Sequence, residues 1–257
     1  MKPLCIELFA GMFGWGVGFV AEGYRVIGFD IVHEDFHGPV PEGCRLVLQN
    51  VLTLDGRKFK DAECIVGSPP CQAYSYMAMP WKRGKAKASE IRADKSGAKL
   101  AELNALFDAC FRIQREASEA AGHHIPLIVE NVRGAQPWVG RAQEHYGSYF
   151  LWGNVPALMP IARHGAAVKG LNVPGIKLSQ VGFNVAAAQR YREGTKNGKD
   201  WFGSGENCSL QRRASSRSDS RKAASAMIAK IPFSLARHIA RVYKPTQQLI
   251  EVPGAKR

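Results

Sequence analysis

The stretch Leu4-Cys5-Ile6-Glu7-Leu8-Phe9-Ala10-Gly11-Met12-Phe13-Gly14-Trp15-Gly16-Val17-Gly18 decides the fold. Its first six residues form a mostly apolar run of strand length, and Ala10 to Gly18 then reads as a glycine-rich turn feeding a helix. A short apolar run followed directly by a helical pattern opens a βαβ unit, and the same alternation continues downstream. Further strands are predicted at Arg25–Asp30, Arg45–Leu48, Cys64–Gly67 and Pro126–Glu130. Before the last of these, Leu100, Leu103, Phe107, Cys110, Phe111 and Gln114 recur at helical spacing, which predicts an amphipathic helix over Ala98–Ala121. Tyr149–Trp152 reads as a sixth strand or a hairpin arm. The expected class is α/β, a mostly parallel sheet with helices on both faces. In such sheets ligands bind where the strands end at their carboxyl edge.

Composition narrows the function. The 257 residues are 46% hydrophobic and 22% charged, which excludes disorder throughout and a disulfide-stapled mini-protein. Thirty-five Lys and Arg against 22 Asp and Glu leave a formal charge of +13, which favours a polyanionic partner, nucleic acid before an anionic membrane surface. No apolar run approaches the roughly 20 residues of a membrane span and no signal-peptide layout opens the chain, so a cytoplasmic protein is expected. The six cysteines are scattered, without a Cys-x-x-Cys pair or zinc-ligand spacing, so no metal site is expected. Five of them read as reduced, buried thiols. Cys71 is treated apart.

Two segments interrupt the α/β pattern. Ala73–Lys99 is basic and rich in small residues, and reads as a mobile surface loop. Residues 155–224 are rich in Gly, Asn, Ser and Arg and show no sustained period, which predicts an irregular region or long insertion. Helical periodicity returns over Ala226–Tyr243. The expected organisation is an α/β domain over 1–154, a small irregular region over 155–224, a helix over 225–244, and a tail over 245–257.

Three motifs carry chemistry. The glycines of the first turn let backbone approach a ligand at a helix N-terminus, and Asp30, at the end of the next strand, can accept hydrogen bonds from a ribose. That pair suggests an adenosine-containing cofactor, although a plain tight turn and an exposed Asp would read the same. In Gly67-Ser68-Pro69-Pro70-Cys71-Gln72, two prolines fix the backbone just past a strand end and present a thiol at the crevice. The basic residues that come after it favour its thiolate, so Cys71 is a candidate nucleophile as well as a candidate buried Cys. In Glu130-Asn131-Val132-Arg133-Gly134, burial at the strand end would keep Glu130 protonated as a proton donor; capping of the next helix or pairing with Arg133 is the other reading.

In this order and spacing, the motifs resemble those of the DNA cytosine-5 methyltransferase family, as a compact, solitary member. Glu7 to Gly16 resembles the family's first motif, Asp-Leu-Phe-Ala-Gly-x-Gly-Gly; Pro69-Pro70-Cys71-Gln72 matches its nucleophile motif and Glu130-Asn131-Val132 its catalytic Glu-Asn-Val. Ile231 to Ala236 resembles the final helix motif. The resemblance covers most of 4–153 and 224–244. It implies a Rossmann-like S-adenosylmethionine-dependent methyltransferase fold plus a small irregular target-recognition region. It further implies methyl transfer to carbon 5 of cytosine in double-stranded DNA, through a covalent Cys71 adduct on a flipped-out base, with Glu130 at ring nitrogen 3. Phe9, Ala10, Gly11, Gly14, Asp30, Asn50, Val51 and Pro70 are the implied cofactor-binding residues, and Gln72, Ser75 and Arg192 the implied DNA contacts. The expected setting is a monomer in a bacterial or phage-like host.

The chain departs from the family pattern at several points. Glu7 stands for Asp, Phe13 interrupts the glycine pair, Asn50 stands where an Asp usually faces adenine, and Ile228-Ala229-Lys230 replaces a Gly-Asn. For the usual Gln-x-Arg-x-Arg, the chain offers Gln189-Arg190-Tyr191-Arg192 with altered spacing, or Arg141 ahead of the aromatic strand. The compact basic segment before the last helix suggests a short or relaxed recognition site. A transfer-RNA cytosine-5 methyltransferase is the nearest alternative, disfavoured because the Cys-Phe-Thr text of that branch is missing. A catalytically idle nucleic-acid-binding protein is another, against which Cys71 and Glu130 argue. A Rossmann oxidoreductase is disfavoured by its glycine order, Gly-x-Gly-x-x-Gly, which this turn does not share.

Overall fold

The computed structural model describes residues 2–74, 81–159, 226 and 229–245. Strands form at the apolar runs: β1 (Leu4–Leu8), β2 (Arg25–Asp30), β3 (Cys44–Leu48), β4 (Cys64–Gly67) and β5 (Leu127–Asn131), then β6 (Glu144–Tyr146) and β7 (Tyr149–Gly153). They make one sheet in the order β3-β2-β1-β4-β5-β7-β6. The first five are parallel. The last two run antiparallel, with β7 against β5 and β6 against β7. Because the winding reverses between β1 and β4, a crevice opens at their carboxyl ends.

Alternation along the strands divides the core. On β1, Leu4, Ile6 and Leu8 face the cluster built with α3 (Ala98–Ala121), whose Phe107, Cys110 and Ile113 are buried. Cys5 faces the other cluster, made with α1 (Gly14–Ala21) and α5 (Phe233–Val242), the short helix α4 (Gln136–Val139) coming between β5 and β6. Helix α1 reads Gly-Trp-Gly-Val-Gly-Phe-Val-Ala and has no polar face, so it needs cover on both sides, from the sheet and from α5. That cover is close: a Cβ on Gly18 would lie 2.4 Å from the Ala236 Cβ and 2.6 Å from the Arg237 nitrogen. Outside the contact, Arg237 and Arg241 both donate to Glu22, and these bonds hold its carboxyl below the usual range. The fold is therefore α/β and Rossmann-like, a mostly parallel sheet with helices on both faces, as the strand-helix alternation predicts.

The structure departs from the sequence reading in two places. Within the segment expected to be a loop, Trp81–Ala93 is a helix, α2. Its Ala, Lys, Arg and Glu residues favour helix, and Gly84, Ala88 and Ile91, spaced i, i+4, i+7, are its buried line. The predicted last helix is interrupted: Ala226 and Ala229 are helical, but the final helix starts afresh at Phe233, because Pro232 sits at its N-cap and cannot continue an earlier turn. The aromatic strand takes one of the two forms its sequence allowed, a hairpin arm: Tyr146 pairs with Tyr149 across the Gly147-Ser148 turn. By contrast α3 matches its predicted limits, with Gly97 and Gly122 bounding it at φ +74°. The expected recognition region over 155–224 and the tail lie almost wholly outside the described residues. Among those described, no helix is long and apolar enough to cross a membrane, and no group of three His, Cys, Asp or Glu could hold a metal ion.

Candidate active site

Parallel register sets the frame of the site. Leu8 pairs with Phe29 and with Gly67, and Gly67 with Val129, so these four residues form one row across β2, β1, β4 and β5. The next residue on each strand is Asp30, Phe9, Ser68 and Glu130. Four segments thus reach the carboxyl edge at one level, each about 4.8 Å from its neighbour. The three motifs, far apart in sequence, open onto the same edge.

The glycine turn is held in an uncommon shape. Phe9 and Phe13 adopt left-handed backbone at φ 60° and 53°, and Gly11 lies at φ +46°. Two non-glycine residues in that region are costly and persist only where their surroundings enforce them. Here the enforcing contacts are backbone bonds from Ala10 N–H to Phe29 O at 3.0 Å and from Phe13 N–H to Ala10 O. Asp30 adds a third, accepting from Gly11 N–H at 2.9 Å through one oxygen and from Ile31 N–H at 2.7 Å through the other. A carboxylate has about four acceptor positions, so Asp30 retains two for a ligand hydroxyl pair.

Beneath the turn lies Glu7, 1% exposed on β1. Its Oε1 accepts from Trp15 N–H at 3.1 Å and its Oε2 from Gly16 N–H at 2.9 Å, so it satisfies two donors in the first turn of α1. Burial pushes its carboxyl up to about 8, while the two N–H donors and Lys230 pull the other way. Gly14 packs closely against the segment before α5: a Cβ there would lie 2.5 Å from the Ile231 nitrogen.

These residues suit an adenosine-type ligand. A Cβ on Gly11 would meet no protein atom within 4 Å, so the turn opens onto clear space. Ile31 and Leu48 beside Asp30 are 70% and 61% exposed, an apolar surface of the kind a base can cover. Asn50 is exposed, and its Oδ1 accepts from Leu52 N–H at 2.9 Å, capping a short 3-10 turn whose Val51 is buried. One lone pair of that oxygen is thereby used within the chain.

The nucleophile turn is anchored on both sides. Ser68 Oγ accepts from the Trp15 indole Nε1–H at 3.1 Å. Pro69 O accepts from the buried Asn131 Nδ2–H at 2.9 Å, tying the turn to β5 one residue past Glu130. After Cys71, Tyr74 N–H returns to Cys71 O at 3.0 Å. The buried Tyr74 hydroxyl donates to Leu103 O and Asn104 Oδ1 on α3. Between these anchors Cys71 is half-buried, with Pro70 and Gln72 exposed beside it. Among the other described cysteines, burial pushes the thiols of Cys5, Cys64 and Cys110 well up, and that of Cys44 to about 12. Glu130 is 6% exposed at the end of β5.

The register therefore brings Phe9, Ala10, Gly11, Asp30, Pro70, Cys71, Gln72 and Glu130 to one edge, while Asn50 and Val51 lie just beyond β3. Ser75 and Arg192 lie outside the described residues. The anchors Trp15, Asn131 and Tyr74 escaped the sequence reading as such, since their partners are 53, 62 and 30 residues away.

No protein-family model matches the chain, and no curated protein matches it. Among solved structures, it is similar to a protein encoded within an E. coli prophage and described as a DNA modification methyltransferase, at 22% identity and a TM-score of 0.34 over 52% of this chain and 33% of that one. It is also similar to the Entamoeba histolytica methyltransferase EhMeth, at 15% identity and a TM-score of 0.33 over 55% of this chain and 41% of the other. The chain thus spans about a third and about two fifths of their lengths.

Proposed function

We propose that the chain transfers a methyl group from S-adenosylmethionine to carbon 5 of cytosine in DNA. The observation that carries this reading is the single row at the sheet edge, where the Cys71 turn and Glu130 leave neighbouring strands and Asn131 ties one to the other. A nucleophile and a carboxyl group on adjacent strands, beside a turn open to an adenosine-type ligand, meet the needs of this chemistry.

Bound at the glycine turn, S-adenosylmethionine supplies an electrophilic methyl group; Gly11, Asp30 and the apolar surface of Ile31 and Leu48 would hold it. The remaining work falls to the protein. The Cys71 thiolate adds to carbon 6 of a flipped-out cytosine, and the displaced ring electron pair moves toward nitrogen 3, where the Glu130 carboxyl holds a proton. Carbon 5 is then nucleophilic enough to take the methyl group. Loss of its proton to a base lets the carbon–sulfur pair return to sulfur and frees the thiolate. Covalent addition splits one hard step into easier ones, and the carboxyl neutralises charge as it develops. Exposed Lys82, Arg83 and Lys85 on α2, the first helix after the nucleophile turn, suit phosphate contacts.

The test is trapping on a duplex containing 5-fluorocytosine with S-adenosylmethionine present. Fluorine at carbon 5 cannot leave as a proton, so the expected result is a covalent adduct on a denaturing gel that Cys71→Ala abolishes. An adduct on RNA alone would replace DNA with transfer RNA as substrate. No adduct on either would overturn the reading in favour of an idle nucleic-acid-binding protein.

A further inference from the structure

We infer that Trp15 is a positioning residue, which ties the glycine turn to the nucleophile turn through Ser68 and sets the orientation of Cys71. The inference rests on the proposed roles of both turns. Trp15 is the second residue of α1 and is 1% exposed, so its ring serves the interior rather than a ligand. Its backbone N–H is held by Glu7 and its indole N–H by Ser68. A buried indole N–H without an acceptor would be costly, so the Ser68 hydroxyl answers a requirement that Trp15 itself creates. A phenylalanine would fill most of the space without it.

Ser68 can pass this constraint on because two prolines come directly after it. Pro69 and Pro70 have no N–H and a fixed φ, so after the Ser68 N–H, which donates to Leu8 O at 3.4 Å, the turn has no backbone donor before Cys71. The residue before a proline is also confined to extended backbone. From Ser68 to Cys71 the chain is therefore stiff, and a side-chain bond at its first residue orients the thiol three residues on. The opposite end of the link is stiff as well, since Phe9 and Phe13 hold left-handed backbone on either side of Gly11. Ligand binding at the glycine turn should therefore steady Cys71.

The experiment measures alkylation of Cys71 by iodoacetamide, localised by mass spectrometry, with and without S-adenosylhomocysteine. It compares the full chain with Trp15→Phe, Ser68→Ala, the double variant and Ser68→Thr, which keeps the hydroxyl. In the parent, saturating ligand should slow alkylation by about three- to tenfold, the range one neutral hydrogen bond supports. Trp15→Phe and Ser68→Ala should still bind the ligand, with a Kd by calorimetry weakened by no more than that same three- to tenfold, yet lose the slowing at saturation, with no further loss in the double variant and recovery in Ser68→Thr. Full slowing in both single variants would overturn the inference. Failure of the parent to bind S-adenosylhomocysteine would sink the methyltransferase reading instead. Ligand-free rates would then decide the role of Trp15: faster, non-additive alkylation in the variants upholds it, and unchanged rates overturn it.

Discussion

Glu7 should make the protein less stable as pH rises from 4.5 toward 8. Its carboxyl titrates near 4.5 in an unfolded chain and is pushed up to about 8 in the folded one, chiefly by burial. Between those values the folded state holds a proton that the unfolded state has released. Stability then falls with pH, since its slope is set by the unfolded-minus-folded difference in bound protons. The contribution is full below 4.5 and lost as pH passes through the folded value. A difference of 8 − 4.5 = 3.5 units corresponds to at most about 5 kcal/mol at 1.36 kcal/mol per unit. In mid-window the slope approaches about 1.4 kcal/mol per pH unit for one proton.

Glu7→Gln isolates this slope. Its amide oxygen can accept from one of the two N–H groups at Trp15 and Gly16, leaving the other facing an NH2, a pH-independent loss of about 1–3 kcal/mol. Urea unfolding at pH 5.5, 6.5 and 7.5, at constant ionic strength, gives the free energy of each protein. The advantage of the parent over the variant should shrink by about 2.7 kcal/mol across those two units. Parallel curves would show that Glu7 does not change protonation on folding and would falsify the argument.

The packing and the site lead to further outcomes. Gly18→Ala forces α1 and α5 apart, because its Cβ would lie 2.4 Å from that of Ala236. Overpacking of about 1–3 kcal/mol outweighs the roughly 1 kcal/mol gain in helix propensity, so calorimetry should show a lower Tm; a rise would contradict the close contact. Cys71→Ser should abolish methyl transfer measured with labelled S-adenosylmethionine while keeping DNA affinity within about threefold, since phosphate contacts do not need the thiol. Retained turnover would remove Cys71 from the chemistry. DNA affinity should fall steeply with salt, with a log–log slope of roughly −3 or steeper as several phosphates are neutralised, and a flat salt dependence would rule out the electrostatic account.

The strands and α3 were legible because their signals are local. β2 and β4 fall on the predicted residues, bounded by turn or polar residues, and α3 carries a full apolar stripe between Gly97 and Gly122. Helix α2 was obscured because its buried line is only Gly84, Ala88 and Ile91, two of them too small to register as hydrophobic periodicity. Its abundance of Ala, Lys and Arg was the available signal. In the site, the motif residues could be picked out because each ends a strand, whereas the bonds that hold them could not. Nothing in the spacing of Trp15 and Ser68, or of Asn131 and Pro69, marks them as partners before the strands are laid side by side. Pro232 did mark the start of the last helix, and the periodicity around it masked that mark.

The packing of α5 on α1 also bears on how the chain is made. The apolar surface over Phe19, Val26 and Ile128 is completed by Leu235, Ala236 and Ile239, and α5 begins 80 residues after β7 ends (233 − 153). At a ribosomal rate of about 5–20 residues per second, that surface waits roughly 4–16 s for its cover. Throughout that interval the nascent polypeptide presents a ready target for holdase chaperones. Slow codons between residues 153 and 233 should therefore lower soluble yield.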